Sequence, residues 1–135
     1  MTTIIEKIKT IPNLYHTNGC TTRQIKEAQN DLNLEFSDEY IDYLKEYGAI
    51  SFYATEWTGL NVGEYINVVD VTKQERSLNK NFPRNYFVIE NQGIEGILII
   101  SNEKGQVFSL QYDKKEYICD SLSEYLDICM KRKNN

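Results

Sequence analysis

With 135 residues, 41% of them apolar and 26% charged, the chain has the size and composition of one globular domain and hardly two. Its 20 Asp and Glu against 15 Lys and Arg leave a net charge of −5, the opposite of the basic footprint of a dedicated nucleic-acid binder. No apolar run exceeds four residues, far short of the ~20 needed to span a bilayer.

Glu6 interrupts any secretory leader, and Cys20, Cys119 and Cys129 have no paired short spacing. The expectation is a cytoplasmic chain with reduced thiols, Cys119 and Cys129 in or beside the core. No repeat, linker or second boundary divides residues 1–135, so a single domain is expected, with an N-terminal helix and loop over 1–20 and a frayed charged tail over 131–135.

Ile4, Ile5, Ile8 and Ile11 follow helical spacing up to Pro12. A loop over Asn13–Cys20 carries the only histidine, His16. Thr21 with Gln24 forms a capping box for a second helix whose buried side is Ile25, Ala28 and Leu32. Ser37 is the expected N-cap of a third helix, with Asp38 and Glu39 at its positive end, Phe36 and Ile41 as a staple, and Gly48 as its stop. Tyr40, Ile41, Leu44 and Tyr47 then gather on the core side.

From Ala49 the pattern changes to strands over Ile50–Tyr53 and Tyr65–Val71, around a loop with Glu56, Trp57, Gly59 and Gly63. Thr72 with Glu75 predicts a short helix over Lys73–Asn79. Asn85–Glu90, Ile94–Ser101 and Gln106–Tyr112 read as three strands joined by short, turn-prone links, an antiparallel meander with a fourth short strand at Tyr117–Cys119. Ser121 with Glu124 caps a last helix that buries Leu122, Tyr125, Leu126 and Cys129. Clustered strands with helices at both ends define an α+β fold.

Chemistry is sparse. One histidine and three scattered cysteines supply neither a zinc shell nor a nucleophile–base pair, and no Gly-rich loop leads into a Lys-Ser or Lys-Thr pair. No metal, cofactor or catalytic residue is therefore assigned. Glu56, Glu64, Asp70, Glu90 and Glu95 could pair across a cleft as in a small carboxylate hydrolase, but an acidic protein has spare carboxylates everywhere. On the third helix, Asp38, Asp42 and Glu46 at i, i+4 and i+8, with Glu39, form an acidic stripe that helix stability does not explain past its first turn. Ten tyrosines against five phenylalanines, with Tyr53, Glu56, Trp57, Glu64 and Tyr65 close in sequence, favour an aromatic and acidic binding surface over catalysis.

The stretch from Leu32 to Gly48, with Ser37, Tyr40, Ile41 and Leu44, resembles the signature of the SUKH superfamily. Phe87–Gly96 is similar to that family's glycine-bearing hairpin, Gly105–Phe108 to its following strand, and Ser121–Leu126 to its serine-capped last helix. Ser37 stands where the family has proline, Tyr47-Gly48 replaces asparagine-glycine, and the hairpin's Gly-Asp pair becomes Ile94-Glu95-Gly96. The resemblance implies a curved antiparallel sheet with flanking helices, and an immunity protein that binds and neutralises the toxin domain of a polymorphic toxin, often a basic nuclease. It implies no shared catalytic residues. The expected chain is a monomer or weak homodimer whose contacts are Asp42, Glu46, Tyr53, Glu56, Trp57, Glu64, Tyr65, Glu90 and Glu95, Trp57 and a tyrosine being hot spots. A regulatory interaction scaffold of the same fold, without a toxin, is the alternative.

Overall fold

The computed structural model describes residues 3–93 and 95–134. Elements run in the order α1 (Ile4–Lys9), β1 (Tyr15–Asn18), α2 (Thr22–Leu32), α3 (Asp38–Glu46), β2 (Tyr47–Phe52), β3 (Thr55–Trp57), α4 (Val68–Leu78), β4 (Tyr86–Asn91), β5 (Ile97–Asn102), β6 (Val107–Gln111), β7 (Lys114–Cys119) and α5 (Leu122–Met130), ending in a 3₁₀ turn over Lys131–Asn134. Two antiparallel sheets form, β1-β2-β3 and β4-β5-β6-β7. The fold is α+β.

Caps set the helix starts, at Thr21, Ser37 and Ser121 as the sequence predicts. Thr3 with Glu6 and Thr21 with Gln24 form reciprocal capping boxes, Ser37 and Ser121 cap α3 and α5, and Asn33 ends α2 at φ 54°, a conformation asparagine tolerates better than most residues. Behind these caps α1, α2, α3 and α5 bury Ile8, Leu32, Tyr40, Leu44 and Leu126 against Phe87, Ile89 and Ile99 of the larger sheet. The opposite face of that sheet, Val88, Leu98, Ile100 and Leu110, packs under Val71 of α4 and Phe82. With both faces covered, β4 and β5 read as continuous apolar runs and not as alternations.

Thr58 joins the two sheets. Its amide donates to the Ile89 carbonyl at 2.8 Å and its hydroxyl to the Val88 carbonyl at 2.7 Å. Tyr43 Oη donates to the Thr58 carbonyl at 2.8 Å, and Tyr40 Oη lies 2.9 Å from Thr58 Oγ1. All three side chains are buried, so each hydroxyl needs such a partner. Thr58, which follows β3 directly, thus ties the smaller sheet to β4 of the larger one.

Several sequence expectations change. The supposed loop over Asn13–Cys20 contains β1, a four-residue strand with no apolar alternation to reveal it. Tyr65–Val71 is not a strand: Asn67 caps a helix that starts at Val68, and Thr72, expected as a cap, is buried inside α4 where its hydroxyl accepts from the Val88 amide at 3.1 Å. Gly48 is not a helix stop; α3 ends at Glu46 and the chain runs straight into β2. Glycine is needed there because β2 meets the Thr17 side chain and the Leu60 carbonyl too closely for a Cβ. The expected Ile94–Ser101 strand is β5 from Ile97, Ile94 lying outside the described residues. Within the expected tail, Lys131–Asn134 form a 3₁₀ turn from which Arg132 reaches Glu90, and Asn135 lies outside the described residues. Asn67 Oδ1 accepts from the Val69 amide at 2.9 Å and the Asp70 amide at 3.4 Å. Thermal unfolding of Asn67→Ala should show a loss of about 1 kcal/mol, the cost of that cap.

Candidate functional site

Register places Tyr15, Ser51 and Glu56 side by side across β1-β2-β3. Cross-strand partners share a face, and here it is the outward one, while Ile50 and Trp57 pair on the inner side. Tyr15 is 70% exposed, and Tyr65, from the loop before α4, is 79% exposed. Isolated exposed tyrosines are ordinary, but these two line one shallow cleft of about 180 Å³ with Ser51, Glu56 and Asn61.

Two further clefts join it. One, of about 310 Å³, shares Asn61 and runs between α2 and the start of α4, lined by Glu27, Asp31 and Asp70. The other, of about 680 Å³, shares Tyr65 and Asp70 and adds Glu64. The joined surface thus carries Glu27, Asp31, Glu56, Glu64 and Asp70, and among the described residues no Lys or Arg lines any of the three clefts. Of these five carboxylates, only Glu27 has an ion-pair partner among the described residues, Arg23 at 3.0 Å on the exposed face of α2, where solvent screens it. Carboxylates gathered with so few counter-charges raise a negative potential that attracts and orients a cationic partner.

Four of the expected contact residues, Tyr53, Glu56, Glu64 and Tyr65, come together here or at the adjoining rim. Tyr53 occupies the β2–β3 turn at φ 48°, a left-handed conformation that costs a bulky residue about 1 kcal/mol or more, and its ring packs edge-on to Phe52 at 5.4 Å. Asp42 and Glu46 lie on α3, but none of these clefts includes them. The start of their stripe is used within the fold, where Glu39 Oε1 accepts from the Ser123 amide at 3.2 Å and so serves the N-terminus of α5. Glu95 is exposed at the β4–β5 turn, where its carbonyl accepts from Gln111 Nε2 at 3.0 Å.

Two expected contacts are corrected. Trp57 is 0% exposed, edge-on to Tyr43 at 5.5 Å and stacked on Tyr125 at 6.2 Å, so it is a core residue and not a hot spot. Its position in β3 points it inward, and the apolar demand of the core wins over its interfacial chemistry. Glu90 is 4% exposed and is held by Arg132 at 2.8 Å and by the Tyr125 hydroxyl. Arg132 also donates to Thr55 Oγ1 at 3.1 Å and to Tyr125 Oη at 3.2 Å. Burial works to lower the Arg132 pKa, but the hydrogen bond and attraction to Glu90 outweigh it and the guanidinium ends above its ordinary value. Burial likewise pushes the Cys129 thiol up to about 11, the Glu90 charge adding to it.

Sequence reading missed Tyr15, Glu27, Asp31 and Arg132. Glu27 and Asp31 had a signal, an i,i+4 acidic pair on the side of α2 away from Ile25 and Leu32; Tyr15 and Arg132 had none. Among the described residues no group of His, Cys, Asp and Glu is arranged to hold a metal, and no helix is long and apolar enough to cross a membrane.

Helices packed on two antiparallel sheets, with an outward face of exposed tyrosines and carboxylates, make an α+β domain. A family model described as SUKH_5, SMI1-KNR4 cell-wall, matches residues 1–131, and the chain belongs to the SUKH family. That family is associated with immunity-type, protein-binding roles and is generally not enzymatic. No curated protein matches the chain.

Proposed function

We propose that this chain is an immunity protein that binds a basic toxin domain, a nuclease by preference, and neutralises it by covering its substrate groove. The observation that supports this reading most is the joined surface with five carboxylates, two exposed tyrosines and no lining Lys or Arg among the described residues. A nuclease groove must be cationic to hold phosphates, so an acidic surface competes for it with nucleic acid. Tyrosines supply buried area on binding, and the carboxylates speed and orient the encounter.

Asp31→Lys with Glu64→Lys tests the reading. Both side chains are exposed, and a cation near the C-terminus of α2 complements the helix dipole, so the fold is retained. Cells that make the cognate toxin domain should resume growth with the unaltered chain and fail to with the double variant, whose melting temperature stays within a few degrees. Full rescue by the double variant would remove this surface from the interface. A scaffold without a toxin predicts several weak partners and no rescue.

A further inference from the structure

Charge is segregated along this chain. Between Val71 and Ile89 the sequence carries Lys73, Arg76, Lys80 and Arg84 against one acid, Glu75, although the net charge is −5. Two of these cations share a cleft of about 450 Å³ where the C-terminus of α2 meets the last turns of α4 and the segment leading into β4. It is lined by Leu32, Asn33, Arg76, Phe82, Arg84 and Asn85, with no carboxylate among the described lining residues. Neither guanidinium has an ion-pair partner or donates a hydrogen bond to any described group, the last carbonyls of α2 included. The side-chain amides of Asn33 and Asn85 likewise donate to no described group. Arg76 is half-buried, and desolvation pushes its pKa below the ordinary value. The helix dipole favours a cation in the last turn of α4, where Arg76 sits, yet it does not call for Arg84, which lies outside any helix.

We propose that this cleft binds a phosphate dianion, free or as a phosphate ester, with Arg76 and Arg84 as two guanidinium forks and the amides of Asn33 and Asn85 as neutral donors. Two unpaired cations match a dianion better than a single carboxylate, and only such a local pair overcomes the repulsion of anions by the chain's net negative charge. Each planar fork can hold two phosphate oxygens at once, which a lysine cannot. A volume of this order is usual for small-ligand sites, and Leu32 and Phe82 supply an apolar wall for the body of an ester. None of these residues lines the acidic clefts, so phosphate binding and toxin capture fail separately.

The test titrates the full chain with inorganic phosphate, adenosine monophosphate or sodium chloride at matched ionic strength, followed by NMR of the amides and guanidinium groups. Phosphate should shift the Asn33, Arg76, Arg84 and Asn85 signals saturably, and chloride should not. Arg76→Gln and Arg84→Gln should each weaken phosphate by about tenfold or more, while Lys45→Gln on the exposed side of α3 leaves it unchanged. Without phosphate, Arg76→Gln should melt no lower than the unaltered chain, because no ion pair is lost; it should also lose the rise in melting temperature that phosphate gives the unaltered chain. Tighter binding of the monophosphate than of phosphate identifies an ester as the ligand, and equal binding identifies the free ion. Equal shifts in phosphate and chloride, or unchanged phosphate affinity in Arg84→Gln, overturn the proposal.

Discussion

Arg132→Ala lowers the stability of the fold by about 3–5 kcal/mol, the cost of stranding a buried charge after removing its partner. Glu90 sits buried in β4 opposite Ile99 of β5, and its carboxylate is shared by Arg132 and the Tyr125 hydroxyl. Without the guanidinium, Thr55 Oγ1 and Tyr125 Oη also lose a donor. For a chain of this length the midpoint should fall by roughly 10–20 °C. Adding Glu90→Gln should restore much of the loss, because a neutral amide still accepts from Tyr125 and no ion remains unpaired. Calorimetry on the single and double variants checks both statements; a small loss in Arg132→Ala would mean that the terminal turn is not docked. The three members come from β4, α5 and the 3₁₀ turn, so this one ion pair ties the C-terminus to the seam between the sheets.

Trp57→Ala should cost about 3–5 kcal/mol, the range for removing a large buried aromatic. The indole lies between Tyr43 and Tyr125, and its N–H has no nitrogen or oxygen acceptor among the described residues, so its contribution is packing area and ring contacts. Because it is the only tryptophan, its emission reports the core directly. In the folded chain it should be blue-shifted and shielded from acrylamide, and it should not change when a partner binds. Trp57→Phe should retain partner affinity within about twofold, as expected for a residue outside the interface. A large loss of affinity in a well-folded Trp57→Phe would place the indole in the interface after all.

Local signals carried much of this fold into the sequence. Thr21 with Gln24, Ser37 and Ser121 mark helix starts that depend on a side chain and an amide a few residues away, and each cap is present in the structure. The β4–β7 meander was legible because both its strands and its turns are close in sequence. What stayed hidden depends on distant partners. Tyr15–Asn18 becomes a strand only because β2 lies beside it, and Thr72 lies inside α4 because Asn67 caps five residues earlier. The site divides the same way. Glu56, Glu64 and Tyr65 were found by composition of one loop, whereas Glu27 and Asp31 reach the surface through the packing of α2 on α4. Trp57 and Glu90 were misplaced for a common reason: residue type suggests an interface, while alternation within β3 and a charge partner 42 residues away decide burial.

Affinity capture from the native cell tests the central claim most directly, with the unaltered chain and the Asp31→Lys, Glu64→Lys variant compared at low and high salt. The acidic, tyrosine-edged surface predicts one basic toxin domain, equimolar with the unaltered chain at low salt, reduced at high salt, and absent with the variant. Equal capture of the same partner by both proteins, insensitive to salt, would contradict it.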